Sequence, residues 1–122
     1  MSRVLGVGGI FFKARDPQAL REWYRRHLGL DIEAWGGLSF DAGAPGSSTV
    51  WSIFEDSSTY FAPSTAPFMI NYRVADLDAL LALLRSEGCT VDEKSGEPSE
   101  YGRFGWVMDP EGNRIELWQP PG

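Results

Sequence analysis

The chain has 122 residues, a net charge of −6, 43% hydrophobic and 23% charged residues. That length fits one domain with a single core, and neither low-complexity tracts nor charge blocks point to disorder. The acidic balance and scattered basic residues exclude nucleic acid as an expected partner. No apolar stretch approaches the roughly 18 residues of a membrane span.

The opening residues, MSRVLGVGG, lack the apolar core and cleavage site of a signal peptide, so no membrane partner and a cytoplasmic location are expected. Residues 8 to 14 form a short aromatic and β-branched run, the composition of a strand. Asp16 follows as a helix N-cap with Pro17 at the first helical position. Leu20, Trp23, Tyr24 and Leu28 then recur at helical spacing, giving one apolar face to lay on a sheet, and Gly29 supplies a left-handed stop. His27, the one histidine, falls at the end of this helix, away from any cleft.

Residues 38 to 41 and 49 to 54 read as paired strands around the loop AGAPGSS. The stretch 55 to 67, rich in Ser, Thr and Pro, reads as a linker with Tyr60 and Phe61 exposed. A second strand covers 68 to 74, and Asp76 caps a second helix carrying Leu77, Leu80, Leu81 and Leu84 up to Gly88. Cys89, the single cysteine, cannot form an intrachain disulfide and reads as a small buried hydrophobe. Strands are expected at 89 to 93, 104 to 108 and 114 to 118, the last two joined by the turn-forming DPEGN.

These elements are two copies of one unit. The segment 10 to 33 lies over 70 to 92, matching Ile10 with Ile70, Lys13 with Arg73, Asp16 with Asp76, Leu20 with Leu80 and Arg25 with Arg85; after a one-residue gap Gly29 matches Gly88. The expected fold is α+β: two tandem βαβββ modules, about 5–60 and 66–119, in a single 1–122 domain forming an incomplete barrel with a central cleft. Alternation puts Gly9, Phe11, Lys13, Val50, Ser52, Phe54, Met69, Asn71, Arg73, Arg114, Glu116 and Trp118 on the cleft side, and Ile10, Phe12, Ile70, Tyr72 and Val74 against the helices.

The repeat, the segment RDPQALREWYRRHLGL and the closing GWVMDPEGNRIELW resemble the vicinal-oxygen-chelate superfamily, which includes glyoxalase I, bleomycin-resistance proteins and extradiol dioxygenases. The resemblance implies a homodimer and, in metal-dependent members, four cleft-facing ligand positions. They fall here on Gly9, Ser52, Met69 and Glu116, of which only Glu116 is a competent ligand. No metal or other cofactor is therefore expected, although ligands shared between subunits leave a divalent ion open.

The expected function is binding of a small-molecule ligand in the cleft, by Phe11, Lys13, Trp51, Ser52, Phe54, Met69, Asn71, Arg73, Arg103 and Trp118. The alternative is a glyoxalase-like lyase or isomerase in which Glu116, its pKa raised by desolvation, is the general base beside a carbonyl. Three readings of Glu116 stay open: base, polar contact to ligand, or structural carboxylate paired with Arg73, Arg114 or Lys13. Tyr101 and Arg103, just before a strand, read either as a loop closing over the cleft entrance, where Arg103 meets an anionic group, or as a surface arginine with its stem packed on Tyr101.

Overall fold

The computed structural model describes residues 3–41, 48–96 and 98–121. Strand β1 (Gly6–Ala14) leads into helix α1 (Pro17–Leu28), followed by β2 (Gly37–Phe40) and β3 (Thr49–Glu55). Then come β4 (Phe68–Arg73), α2 (Leu77–Ser86), β5 (Thr90–Val91), β6 (Pro98–Ser99), β7 (Gly102–Met108) and β8 (Arg114–Gln119).

Local chemistry sets both helices. The Asp16 and Asp76 carboxylates accept from the Ala19 and Ala79 amides at 3.0 and 3.1 Å, each satisfying an amide that the first turn leaves without a partner. Gly29, at φ 68°, donates to the Arg25 carbonyl, and Gly88, at φ 84°, to that of Arg85; a side chain in this left-handed region would be strained. The DPEGN hairpin closes through the Asp109 amide on the Asn113 carbonyl at 2.9 Å, while the Asp109 carboxylate accepts from the amides of Glu111 and Asn113.

The strands form one open, mixed eight-stranded sheet in the order β2-β3-β1-β4-β8-β7-β5, with β6 pairing β7. Its two halves join through the antiparallel pair β1–β4, where Ile10 lies opposite Ile70, so the repeat meets itself at matching residues. This is the expected α+β architecture. Strand 89 to 93 shortens to Thr90–Val91, and Cys89 is exposed instead of buried because it lies just beyond the glycine that ends α2. The loop 42–47 and the Leu28 side chain lie outside the described residues. Among those described, no helix is long and apolar enough to cross a membrane.

Both helices lie on one face. Leu77, Leu80 and Leu81 of α2 pack with Val74, Val107 and Leu117 in a buried cluster, each such side chain contributing about 1.5–3 kcal/mol. Under α1, Tyr24 meets Phe12 and Trp51 edge to face, and the Arg21 guanidinium donates to the Gly36 and Ile53 carbonyls. Trp23 is 50% exposed and not part of the sheet-facing stripe, where Tyr24 and the Arg21 guanidinium sit against β1 and β3. Ile10 is not covered by a helix either and is 46% exposed. Each helix sits over its own module, leaving the strands at the join uncovered.

The opposite face holds the second core cluster, Phe11, Phe61 and Met69, with Val50, Phe54 and Trp106 packed against it. Phe61 comes from the linker between the modules and has no exposed surface. The linker therefore folds over this face: Phe61, expected to be exposed, becomes part of the core, while Tyr60 stays 39% exposed with its hydroxyl turned inward. Burying Phe61 removes its whole ring from water, an apolar gain that an extended linker would forgo.

Candidate functional site

Glu116 sits at the centre of the helix-free face, 1% exposed. Register brings its neighbours: Asn71 on β4 and Trp106 on β7 are its cross-strand partners, on the same face because side chains alternate. Asn71 Nδ2 donates to Oε1 at 2.7 Å and Trp106 Nε1 to Oε2 at 2.9 Å. The Tyr60 hydroxyl, reaching in from the linker, donates to the same Oε2. Three donors from three segments thus converge on one buried carboxylate.

Burial pushes the Glu116 pKa up by penalising its charged form, and the bonds from Tyr60, Asn71 and Trp106 and the positive charge of Arg114 oppose that shift. The Tyr60 phenol is raised as well, first by burial and then by the negative Glu116, so it holds its proton and serves as donor. Arg114 does not pair with Glu116. Its guanidinium lies 4.9 Å from the Trp106 ring centroid and donates to Asp92 at 3.0 Å.

Asn71 is 1% exposed, and its Oδ1 has no hydrogen-bond partner among the described residues. That oxygen points at Gly8: a Cβ there would lie 2.2 Å from Oδ1. A register shift between Val7 and Gly9 turns both Gly8 and Gly9 toward this face, and a Cβ on Gly9 would press to 2.9 Å on the Phe11 ring. The two glycines leave the space that Asn71 and Phe11 occupy.

Of the residues expected to bind a ligand, Phe11, Ser52, Met69, Asn71 and Trp118 share this face and are all buried. Phe54 stacks on Tyr60 at 5.6 Å, Lys13 reaches the Phe61 ring at 5.2 Å, and Trp118 stacks on Phe104. The slot is thus filled by its own side chains. Arg73 sits at its rim, donating to the Val7 carbonyl at 2.7 Å.

Two residues do not join the site. Trp51 faces the helices, between Phe12 and Tyr24, since it is one position out of phase with Val50 and Ser52. Arg103 also faces the helices: its guanidinium bridges both Asp78 oxygens at 2.6 Å and the Gly96 carbonyl, so it cannot close over the slot. Tyr101 is 66% exposed, and its carbonyl accepts from the Trp118 indole.

Gly9, Ser52, Met69 and Glu116, the positions at which the resemblance leads one to expect a metal, together offer one carboxylate, one hydroxyl and one thioether. That set does not fit a divalent ion wanting three His or carboxylate ligands, and both Glu116 oxygens already accept hydrogen bonds. Among the described residues no group of three or more His, Cys, Asp or Glu side chains is placed to hold one.

Sequence reasoning missed Tyr60 and Trp106. Trp106 was countable, because the hairpin that pairs Met108 with Arg114 also pairs Trp106 with Glu116. Tyr60 carried no signal, lying 56 residues from its partner in an irregular segment.

Among solved structures, methylmalonyl-CoA epimerase from Mycobacterium tuberculosis is 24% identical, with a TM-score of 0.68 over 100% of this chain and 92% of that one. A variant of the Streptomyces coelicolor epimerase, bound to 2-nitronate-propionyl-CoA, is 19% identical, with a TM-score of 0.75 over 98% and 99%. The NAD-dependent benzaldehyde dehydrogenase of Legionella pneumophila is 11% identical, with a TM-score of 0.62 over 93% and 98%. At these identities the likeness is one of fold, and its bearers carry unrelated activities. No curated protein matches the sequence. A sequence-family model described as a glyoxalase-like domain matches residues 9–118. The chain belongs to that glyoxalase-like family, within the vicinal-oxygen-chelate superfamily.

Proposed function

We propose that the protein binds a small organic molecule over Glu116, without a metal, on the face now covered by the linker. The observation that carries this is the carboxylate itself: burying an ionisable group is costly, yet three donors are spent on holding this one within an aromatic surface. The ligand takes the place of Tyr60 and Phe61, so it is apolar or aromatic and carries one donor for Glu116 Oε2. The linker then moves aside as a unit, releasing a hydrogen bond and a buried ring. A cytoplasmic location and a homodimeric state belong to the same reading.

A thermal-shift screen of aromatic and amphipathic compounds tests it, with CoA thioesters included because epimerase neighbours bind CoA compounds. A binder should raise the melting temperature of the native protein and raise that of Glu116→Gln less. No stabilisation by any compound would sink the proposal.

A second reading is favoured by the raised Glu116 pKa: proton abstraction next to a thioester or hemithioacetal carbonyl. The C–H electron pair moves toward the carbonyl as an enolate forms, and Glu116 holds the proton until it is returned. Exchange of that proton into deuterated water, followed by NMR, should be lost in Glu116→Gln; equal rates for the two proteins would exclude the catalytic role.

A further inference from the structure

Trp106 brings a single N–H to Glu116 Oε2, and an indole has no second donor to offer if its ring turns. Two neighbours bear on that ring. Tyr60 meets it edge to face at 6.1 Å, and the Arg114 guanidinium lies over it, 4.9 Å from the centroid. Arg114 is two residues from Glu116 on β8 and so projects to the same face. Its Nη1 donates to Asp92 Oδ2 at 3.0 Å. The Asp92 amide in turn donates to the Trp106 carbonyl at 2.9 Å, and the Ser95 hydroxyl accepts from the Trp106 amide at 2.9 Å. The segment 92–95 therefore fixes the Trp106 backbone and also holds the cation over its ring.

Stability alone gives no reason for an arginine here. The Arg114 side chain is 10% exposed, and its Nε has no hydrogen-bond partner among the described residues. A buried donor left unmet costs free energy, and a part-buried ion pair is commonly no better than apolar side chains of the same volume. What a guanidinium supplies and an apolar chain does not is a flat cation that lies on an indole face.

We propose that Arg114, locked by Asp92, is a positioning residue: it keeps the Trp106 N–H on Glu116 Oε2 once Tyr60 withdraws. This rests on the proposed function, in which the linker moves aside. Tyr60 then leaves the Trp106 ring and vacates one acceptor site of Oε2, while Arg114 belongs to β8 and stays. With Asn71 still on Oε1 and Trp106 still on Oε2, the carboxylate keeps its orientation. The vacated site on Oε2 is then the direction from which a ligand's donor arrives.

Nitrogen-edited proton NMR of the full chain with labelled tryptophan tests this. Loss of a signal in Trp106→Phe assigns the Trp106 indole, and Tyr60→Ala stands for the withdrawn linker. In the native protein and in Tyr60→Ala, the Trp106 indole proton should resonate downfield of those of the exposed Trp23 and Trp35 and exchange slowly. Adding Arg114→Leu or Arg114→Lys to Tyr60→Ala should move it into their range and speed its exchange roughly tenfold. Lysine keeps the charge without the plane, so it should not rescue. The Trp118 indole, bonded to the Tyr101 carbonyl, should stay unchanged in every variant. A Trp106 signal that either variant leaves in place would overturn the positioning role. So would loss of the Trp118 signal alongside it, which would mean that the sheet had loosened as a whole. Should the double variants fail to fold, Arg114→Lys alone decides, because exchange proceeds through transient opening of the linker. Faster Trp106 exchange with Trp118 unchanged supports the role, and equal rates refute it. No compound is present in these measurements, so an empty thermal-shift screen sinks the ligand, whereas an unmoved Trp106 signal sinks only the positioning role.

Discussion

At the residue scale, Glu116 couples stability to pH. Its folded-state pKa lies above the usual carboxylate value of 4.5 because burial disfavours the anion. The folded state therefore holds this proton more tightly than the unfolded chain does. The stability gained is full below the unfolded pKa and is lost as pH rises through the folded one. Asp78 and Asp92 act oppositely: the Arg103 guanidinium lowers Asp78, while the Lys94 amide and the Arg114 guanidinium lower Asp92. The informative quantity is thus a difference. Between about pH 4.5 and neutrality the native protein should lose stability relative to Glu116→Gln, as followed by urea unfolding at stepped pH. A constant gap across that range would mean that Glu116 does not titrate there.

Gly8 gives a second test at this scale. A methyl group at that position meets Asn71 Oδ1 at 2.2 Å and Trp118 at 3.0 Å, both held in a buried layer. Gly8→Ala should cost about 1–3 kcal/mol, as overpacking does, and should move Asn71 away from Glu116. The fluorescence of Trp106, which shares Glu116 with Asn71, reports that movement. Unchanged stability would show that the strand carries Gly8 away freely.

At the scale of elements, two devices do most of the positioning. The Asp76 cap is worth about 1 kcal/mol, so Asp76→Ala should lower the unfolding midpoint by that amount without altering the fold. Leu81→Ala removes a side chain 2% exposed that packs onto β7, and should cost about 2–5 kcal/mol. The linker is the other device. Tyr60→Phe deletes one of the three donors on Glu116 and keeps the ring that stacks on Phe54, so it separates the bond from the packing. Amide hydrogen exchange should show the 58–66 segment opening more readily in this variant, since its tie to the sheet is reduced to Phe61 and neighbouring apolar contacts. Exchange as slow as in the native protein would show that the Tyr60 bond does not hold the segment.

At the scale of the molecule, the donor set predicts indifference to divalent ions. Zinc or nickel in slight excess should leave the melting temperature unchanged, because one carboxylate with both oxygens engaged cannot bind the folded state selectively. A rise of several degrees would mean that Glu116 exchanges its hydrogen bonds for a metal.

The duplication, the two capped helices, the closing hairpin, and the placing of Asn71, Glu116, Phe11, Phe54 and Trp118 on one face are legible in the residues alone. Each of these follows from interactions spanning a few residues or from the two-residue period of a strand. The tertiary structure alone decided the rest. Whether Tyr60 reaches Glu116, 56 residues away, and whether Phe61 enters the core beside Phe11 depend on how an irregular segment folds back over the sheet, and such a segment has no periodicity to read. Trp51 and Ile10 depend equally on where the helices come to rest: Trp51 lies under α1, while Ile10 falls at the bare join. Local chemistry sets which side of a strand a residue takes; what covers that side is set by packing between distant parts of the chain, where the filled slot and the bare join both arise.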